Sequence, residues 1–393
     1  ANPSTSSRRP PEECGRREEV EGLAYDVVVV GLGGAGSAAA YHLARRGLRV
    51  LGLEQFGPVH DRGSSHGHTR ITRQAYFEHP DYVPLLLRAY ELWQDLQQRT
   101  RTELLRICGG LMVGPATGAL VSGALRSARE YGLPHELLSA ADVRARFPAF
   151  RLAEDEQALY EPRAGVLFPE ACVRAHQELA VSHGAELRFH TRLLDWHSDG
   201  ARVWVRTDGG TEEAGSLVLA AGPWMPELVR CPLELSVERQ VVFWFRPQRP
   251  EWFTPDRFPV FVWETPEGFF YGIPAVGGRG FKAARHHGGQ TVHPDRVPPV
   301  RPEEAGWLRA QLRLRLPEAD GELEDAATCL YTNTPDEHFV LDRHPEFGNV
   351  VICSACSGHG FKFTSVVGEV AADLATEGAS RLPVGFLSLR RFQ

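Results

Sequence analysis

Asp26–Gln55 reads DVVVVGLGGAGSAAAYHLARRGLRVLGLEQ, and this stretch decides the fold. Val27–Val30 are four β-branched apolar residues in a row, the pattern of a strand buried on both faces in a parallel sheet. Gly31, Gly33 and Gly36 follow at GxGxxG spacing. Ser37–Arg46 is a helix-forming run in which Ala38, Ala39 and Ala40 allow close packing on a sheet, and Gly47 ends it. Leu48–Leu53 reads as a second strand with Glu54 at its end. The whole is a βαβ unit with its acid in place. Its glycines let the backbone approach a pyrophosphate, which the helix N-terminus attracts. Glu54 is expected to accept hydrogen bonds from ribose hydroxyls. The motif alone serves FAD or NAD equally well, and its place near the start of the chain favours FAD.

Composition bounds the rest. The 393 residues suffice for two domains, and the net charge of -7 gives no bulk attraction to nucleic acid or to an anionic membrane. Ala1–Glu21 is polar throughout, so residues 1–23 are expected to form a disordered tail rather than a signal peptide. No apolar run is long enough to span a bilayer. Seven scattered cysteines, with one CxxC at Cys353 and Cys356, point to a reduced, cytoplasmic setting. The histidines lack ligand spacing with carboxylates, so no metal site is expected. Of 43 basic residues only Lys282 and Lys362 are lysines, which marks both for work that a planar guanidinium cannot do.

Further along, Phe56–His68 is a long loop directly after the cofactor motif. In TRITRQAY, Arg70 and Arg73 lie three apart, so a helical turn would put them on one side, suited to a carboxylate. Helices are expected over Tyr82–Gln98, Gly118–Tyr131, Ser139–Phe147, Pro169–His183, Pro302–Leu316 and Phe363–Thr376. Strands are expected over Leu111–Val113, Ala158–Glu161, Gly165–Phe168, Glu186–His190, Leu193–Ser198, Ala201–Thr207 and Glu212–Leu219. Ser216–Trp224 reads as a strand running into a glycine turn, returning beside the βαβ unit. Leu233–Phe245, Val260–Trp263 and Phe269–Ile273 suit antiparallel strands of a second domain, Phe281–His287 follows a Gly277–Gly280 turn, and Ala326–Tyr331, Phe339–Leu341 and Val350–Ser354 are further expected strands.

Six motifs in order, GLGGAG, GSSHGHTRITRQAY, GVLFPEACVRAHQELA, YGIPAVGGRGFKAARH, CLYTNTPDEHFVLDRHP and SGHGFKF, resemble the monomeric sarcosine oxidase family, which includes N-methyltryptophan and pipecolate oxidases. The resemblance runs from about Tyr25 to near the C-terminus. It implies an α/β fold: a Rossmann-like FAD-binding domain (24–80, 150–231 and 332–393) with an inserted mixed-sheet substrate domain (81–149 and 232–331). Cys329 matches the cysteine joined to the flavin by a thioether. Lys282 matches the lysine that activates oxygen, where a fixed positive charge lowers the barrier to forming superoxide. Arg73 and Lys362 match the pair that grips the substrate carboxylate. Arg70 matches an arginine close to the flavin ring, and His286, Tyr271, Tyr331 and His66 match other site-lining positions. Ser64, Thr69, Gly358, His359 and Gly360 join the expected cofactor contacts, the SGHG glycines presenting N–H groups to the flavin pyrimidine edge.

The implied function is oxidation of a secondary α-amino acid by a monomer. Hydride passes from carbon to flavin N5, an imine forms, and O2 is reduced to hydrogen peroxide. The competing readings are a flavin dehydrogenase with a non-oxygen acceptor and an FAD-binding protein without turnover. Departures from the family pattern fall at Ala355-Cys356, at Gln74, and at Val262 and Trp263 in the expected pocket wall.

Overall fold

The computed structural model describes residues 23–354 and 357–392. The expected tail therefore lies outside the described residues except for Leu23, as do Ala355 and Cys356 of the CxxC.

The βαβ unit forms as the sequence demands. Strand β1 (Tyr25–Val30) leads into helix α1 (Gly34–Arg45) and then strand β2 (Val50–Leu53). The two strands pair in parallel, Val27 opposite Val50 and Val30 opposite Leu53. Val28 and Val29 are fully buried, each burial worth about 1.5–2 kcal/mol. The helix starts three residues earlier than its composition suggests, because Gly34–Gly36 already wind within it. Small residues set its packing. A Cβ on Gly368 of the helix Thr364–Thr376 would lie 2.4 Å from Ala38 Cβ, so the two helices touch almost backbone to backbone.

The strand Gly210–Leu219 returns on the other side of β1, in parallel, with Val28 opposite Leu217. Ser216–Trp224 takes its expected form, a strand ending at Leu219 that runs into a 3-10 turn at Gly222-Pro223-Trp224. The strand Val350–Ser354 extends this sheet. Among the described residues the sheet has eight strands and is mixed.

A second sheet, of nine strands among the described residues, is mostly antiparallel. Its period-2 alternation divides two environments. Phe261 and Trp263 of Val260–Thr265, Phe270 of Gly268–Ile273, and Phe281 and Ala283 of Phe281–His286 enter an aromatic core that also holds Phe243, Phe245, Phe253 and Phe258. The alternate residues Val262, Tyr271 and His286 face a cavity between the sheets.

Three expectations need correction. Arg70 and Arg73 do not share a helical turn: Arg70–Thr72 is strand β3, pairing with Gly165–Leu167 in a small third sheet with Leu105–Ile107. The β-branched Ile71 and Thr72 suit that edge better than a turn. The helix expected over Pro302–Leu316 is a 3-10 turn at Pro302–Ala305 followed by an α-helix at Gly306–Arg315. The strand around Cys329 is twice the expected length, Glu322–Asn333, because it pairs along the whole of Ser236–Arg246. Helix α2 (Tyr82–Thr100) buries Leu85, Leu86, Tyr90, Leu92, Trp93 and Leu96, its expected face.

Candidate active site

Gly31 has φ +86°, a conformation L side chains rarely adopt, and a Cβ there would lie 2.6 Å from the Ala220 carbonyl. A Cβ on Gly36 would lie 1.8 Å from the Gly31 carbonyl. The first turn of α1 has no side-chain cap from Gly33, and the Gly34 N–H donates to Ser65 Oγ at 3.0 Å. Glu54 is buried; its carboxylate accepts from the N–H groups of Leu32 (2.9 Å) and Phe56 (3.1 Å).

One cavity joins this cradle to the expected reaction site. Its walls include Gly31, Gly33, Glu54, Ser64, Arg70, Arg73, Tyr271, His286, Cys329, Tyr331 and Gly358–Lys362. Gly36, His66, Thr69 and Lys282 stand behind that wall. His66 Nε2 lies 3.1 Å from the Gly63 carbonyl, and burial pushes its imidazole down to about 4. Lys282 is buried, and its Nζ donates to the carbonyls of Gly67 and Thr69, both at 2.8 Å. Burial, then the Arg70 charge, holds this ammonium well below its ordinary value.

Arg70 ties the loop to the second sheet. Nη1 donates to Thr69 O (2.9 Å), and Nη2 to Ser64 O (2.9 Å) and Cys329 Sγ (3.3 Å). His286 Nδ1 lies 3.3 Å from the Tyr331 hydroxyl, and burial, with His287 beside it, holds the imidazole well below its ordinary value and so neutral. Lys362 Nζ donates to the His359 carbonyl (2.8 Å); burial, then the Arg73 charge, lowers it to about 7. Arg73 is buried and donates from Nη2 to both oxygens of Glu78.

Several cavity residues were not anticipated. Ser65 was passed over for its neighbour Ser64, whose hydroxyl instead donates to the Leu330 carbonyl. Glu78, Phe77 and Thr332 also line the cavity, Phe77 stacking on Phe269 at 5.8 Å. Of the departures, Val262 forms wall while Trp263 points into the aromatic core, and Gln74 is buried with its N–H on Glu161. Glu227, His293 and Asp295 bring possible ligand atoms within 4.8 Å of one another, but they are exposed and Arg192 and Trp224 engage their carboxylates.

The residues present fit FAD. The cradle of Gly31 and Gly36 leaves no room for side chains, and Gly31 and Gly33 line the same cavity as the Gly358–Lys362 turn. A dinucleotide cradle under one sheet and a second sheet over the same cavity are the architecture of a flavin-dependent oxidoreductase. A family model described as FAD dependent oxidoreductase (DAO) matches residues 26–374. The chain is 46% identical over 376 residues to the monomeric sarcosine oxidase of Streptomyces avermitilis, covering 93% of this chain and 97% of that one. It is 36% identical to the N-methyl-L-tryptophan oxidase of Yersinia pestis, over 94% of this chain and 100% of that one. Among solved structures it resembles the open form of NikD, an unusual amino acid oxidase essential for nikkomycin biosynthesis, with TM-score 0.81 and 28% identity over 93% of this chain and 97% of that one. The chain belongs to the FAD dependent oxidoreductases and, within them, to the monomeric sarcosine oxidase family.

Proposed function

We propose that this chain oxidises a secondary α-amino acid, N-methyl or cyclic, with O2 as electron acceptor and hydrogen peroxide as product. The observation that carries the reading is the convergence of two buried cations, Arg73 and Lys362, with a neutral imidazole, His286, in the cavity that begins at the dinucleotide cradle. Bound there, the flavin supplies the acceptor for a hydride from the carbon next to nitrogen and hands the electrons on to O2.

The protein's own residues do the rest. Arg73 and Lys362 hold the substrate carboxylate, a fork and a point charge on one anion. His286, neutral and linked to the Tyr331 hydroxyl, faces the amine and adds no charge that would repel a protonated substrate. Tyr271 and Tyr331 wall the site against water. Lys282 stands ready behind Gly67 and Thr69, and an anion formed nearby favours its charged form. Cys329, with its sulfur in the cavity beside Arg70, is the covalent attachment point for FAD.

The proposal includes a flavin-binding unit built from residues 24–80, 150–231 and 332–393, and a substrate unit from 81–149 and 232–331. Its support is that the strands of the eight-stranded sheet fall within the first set, although Glu156–Glu161 pairs with the other sheet. It also includes a cytoplasmic monomer. In support, no helix among the described residues is long and apolar enough to cross a membrane. A peroxide assay with sarcosine, pipecolate, an N-methyl aromatic amino acid and the corresponding amines lacking a carboxylate tests the reading. Turnover confined to the carboxylates is expected. Flavin reduction by these substrates without peroxide would favour a dehydrogenase instead.

A further inference from the structure

The two cations of the proposed carboxylate clamp come from distant parts of the chain, yet one side chain touches both. Arg73 Cζ lies 4.2 Å from the centroid of the Tyr76 ring, and Lys362 Nζ lies 3.4 Å from the Tyr76 hydroxyl. Tyr76 itself is fully buried and outside the cavity wall.

Its hydroxyl is oriented by a chain of fixed polarity. His359 Nε2 is 2.9 Å from the Glu337 carbonyl, which can only accept, so Nε2 carries the hydrogen. Burial, with Lys362 beside it, keeps this imidazole neutral, and its Nδ1 is therefore an acceptor. The Tyr76 hydroxyl, 2.5 Å from Nδ1, donates to it. That leaves the phenol oxygen free to accept from Lys362. The backbone is pinned as well: Glu161 accepts from the N–H groups of Gln74 (2.7 Å) and Ala75 (2.9 Å), and Ser127 Oγ donates to the Tyr76 carbonyl. Neither the ring nor the hydroxyl has freedom to move away from the cations.

The geometry points to Tyr76, oriented by His359, as the positioning residue of the carboxylate clamp, its ring face under Arg73 and its hydroxyl against Lys362. Before a substrate carboxylate arrives, Glu78 pairs with the Arg73 fork. Tyr76 offers Arg73 a polarisable ring face and Lys362 a lone pair without adding a second anion to the site. This inference rests on the clamp reading above, and its test separates the two.

The test is calorimetric titration of the holoenzyme with acetate, a carboxylate that carries no oxidisable amine, alongside steady-state kinetics. Tyr76→Phe keeps the ring and removes the hydroxyl. Acetate affinity is expected to fall about tenfold, the low end for loss of one hydrogen bond to a charged group because the contact is 3.4 Å long, with KM rising equally and kcat within about twofold. Tyr76→Leu removes the ring face too and is expected to weaken acetate further. A role confined to packing would leave the pH dependence alone. Here, with Arg70, Arg73, Glu78, His286 and His359 the other groups around Lys362, the pH above which acetate affinity declines should move down in Tyr76→Phe, since Lys362 loses an acceptor. Wild-type acetate binding in Tyr76→Phe, with binding lost in Lys362→Met, would overturn the positioning role. Wild-type binding in Lys362→Met would overturn the clamp itself, and the positioning role with it.

Discussion

Arg73 Nη2 donates to both carboxylate oxygens of Glu78, at 2.7 and 2.9 Å, inside the cavity proposed to receive the substrate carboxylate. The guanidinium is almost fully buried, so an unpaired charge there would be costly. Glu78 and the substrate therefore compete for one fork. Glu78→Gln should lower KM several-fold while destabilising the protein by roughly 1–3 kcal/mol, and acetate should raise Tm more in the variant than in the parent. A raised KM would mean that Glu78 assists binding rather than competing with it.

Among the described residues no carboxylate forms an ion pair with Lys282; the carbonyls of Gly67 and Thr69 hold its Nζ in place. Lys282→Met should slow O2 consumption by the reduced enzyme by about a hundredfold. Anaerobic reduction by substrate should be nearly unchanged. Stopped-flow measurement of the two half-reactions checks this, and equal loss in both would remove Lys282 from oxygen chemistry.

Cys329 lies against Arg70 with its sulfur in the cavity. Acid precipitation of the wild-type protein should leave yellow colour in the pellet. In Cys329→Ser the colour should pass to the supernatant. A colourless wild-type pellet would leave a flavoprotein without the thioether.

Lys362 carries a pH signature. Its folded value of about 7 lies below the ordinary lysine value, so its ammonium is present below pH 7 and lost above it. Affinity for acetate should fall as pH rises past about 7, approaching tenfold per unit. Lys362→Met should bind weakly and show no such slope. An affinity independent of pH between 6 and 9 in the parent protein would remove Lys362 from the clamp.

The parts of this molecule that were legible in sequence are those whose chemistry is local. Val27–Val30, the glycines and Glu54 specify the βαβ unit by run, spacing and order, and Leu85 to Leu96 show the buried face of α2 by period. Strand β3 was not legible, because three residues carry too little alternation and its partner Gly165–Leu167 is almost a hundred positions away. Lys282 and Lys362 stood out because arginine had replaced every other basic side chain. Their surroundings did not. The carbonyl cradle of Lys282, the Tyr76 hydroxyl at Lys362 and the Glu78 carboxylate on Arg73 depend on where loops cross, which no residue spacing encodes. Ser65 illustrates the limit: two adjacent serines offer the same hydroxyl, and only the path of the loop decides which one meets the Gly34 N–H.

The most direct test of a flavin oxidase of secondary amino acids is the visible spectrum of the purified protein, first with sarcosine or pipecolate under anaerobic conditions and then after air is admitted. The account predicts that the yellow absorption bleaches before air enters, returns after it, and that hydrogen peroxide appears in step. A spectrum unmoved by any secondary amino acid, in protein shown to contain flavin, would contradict it.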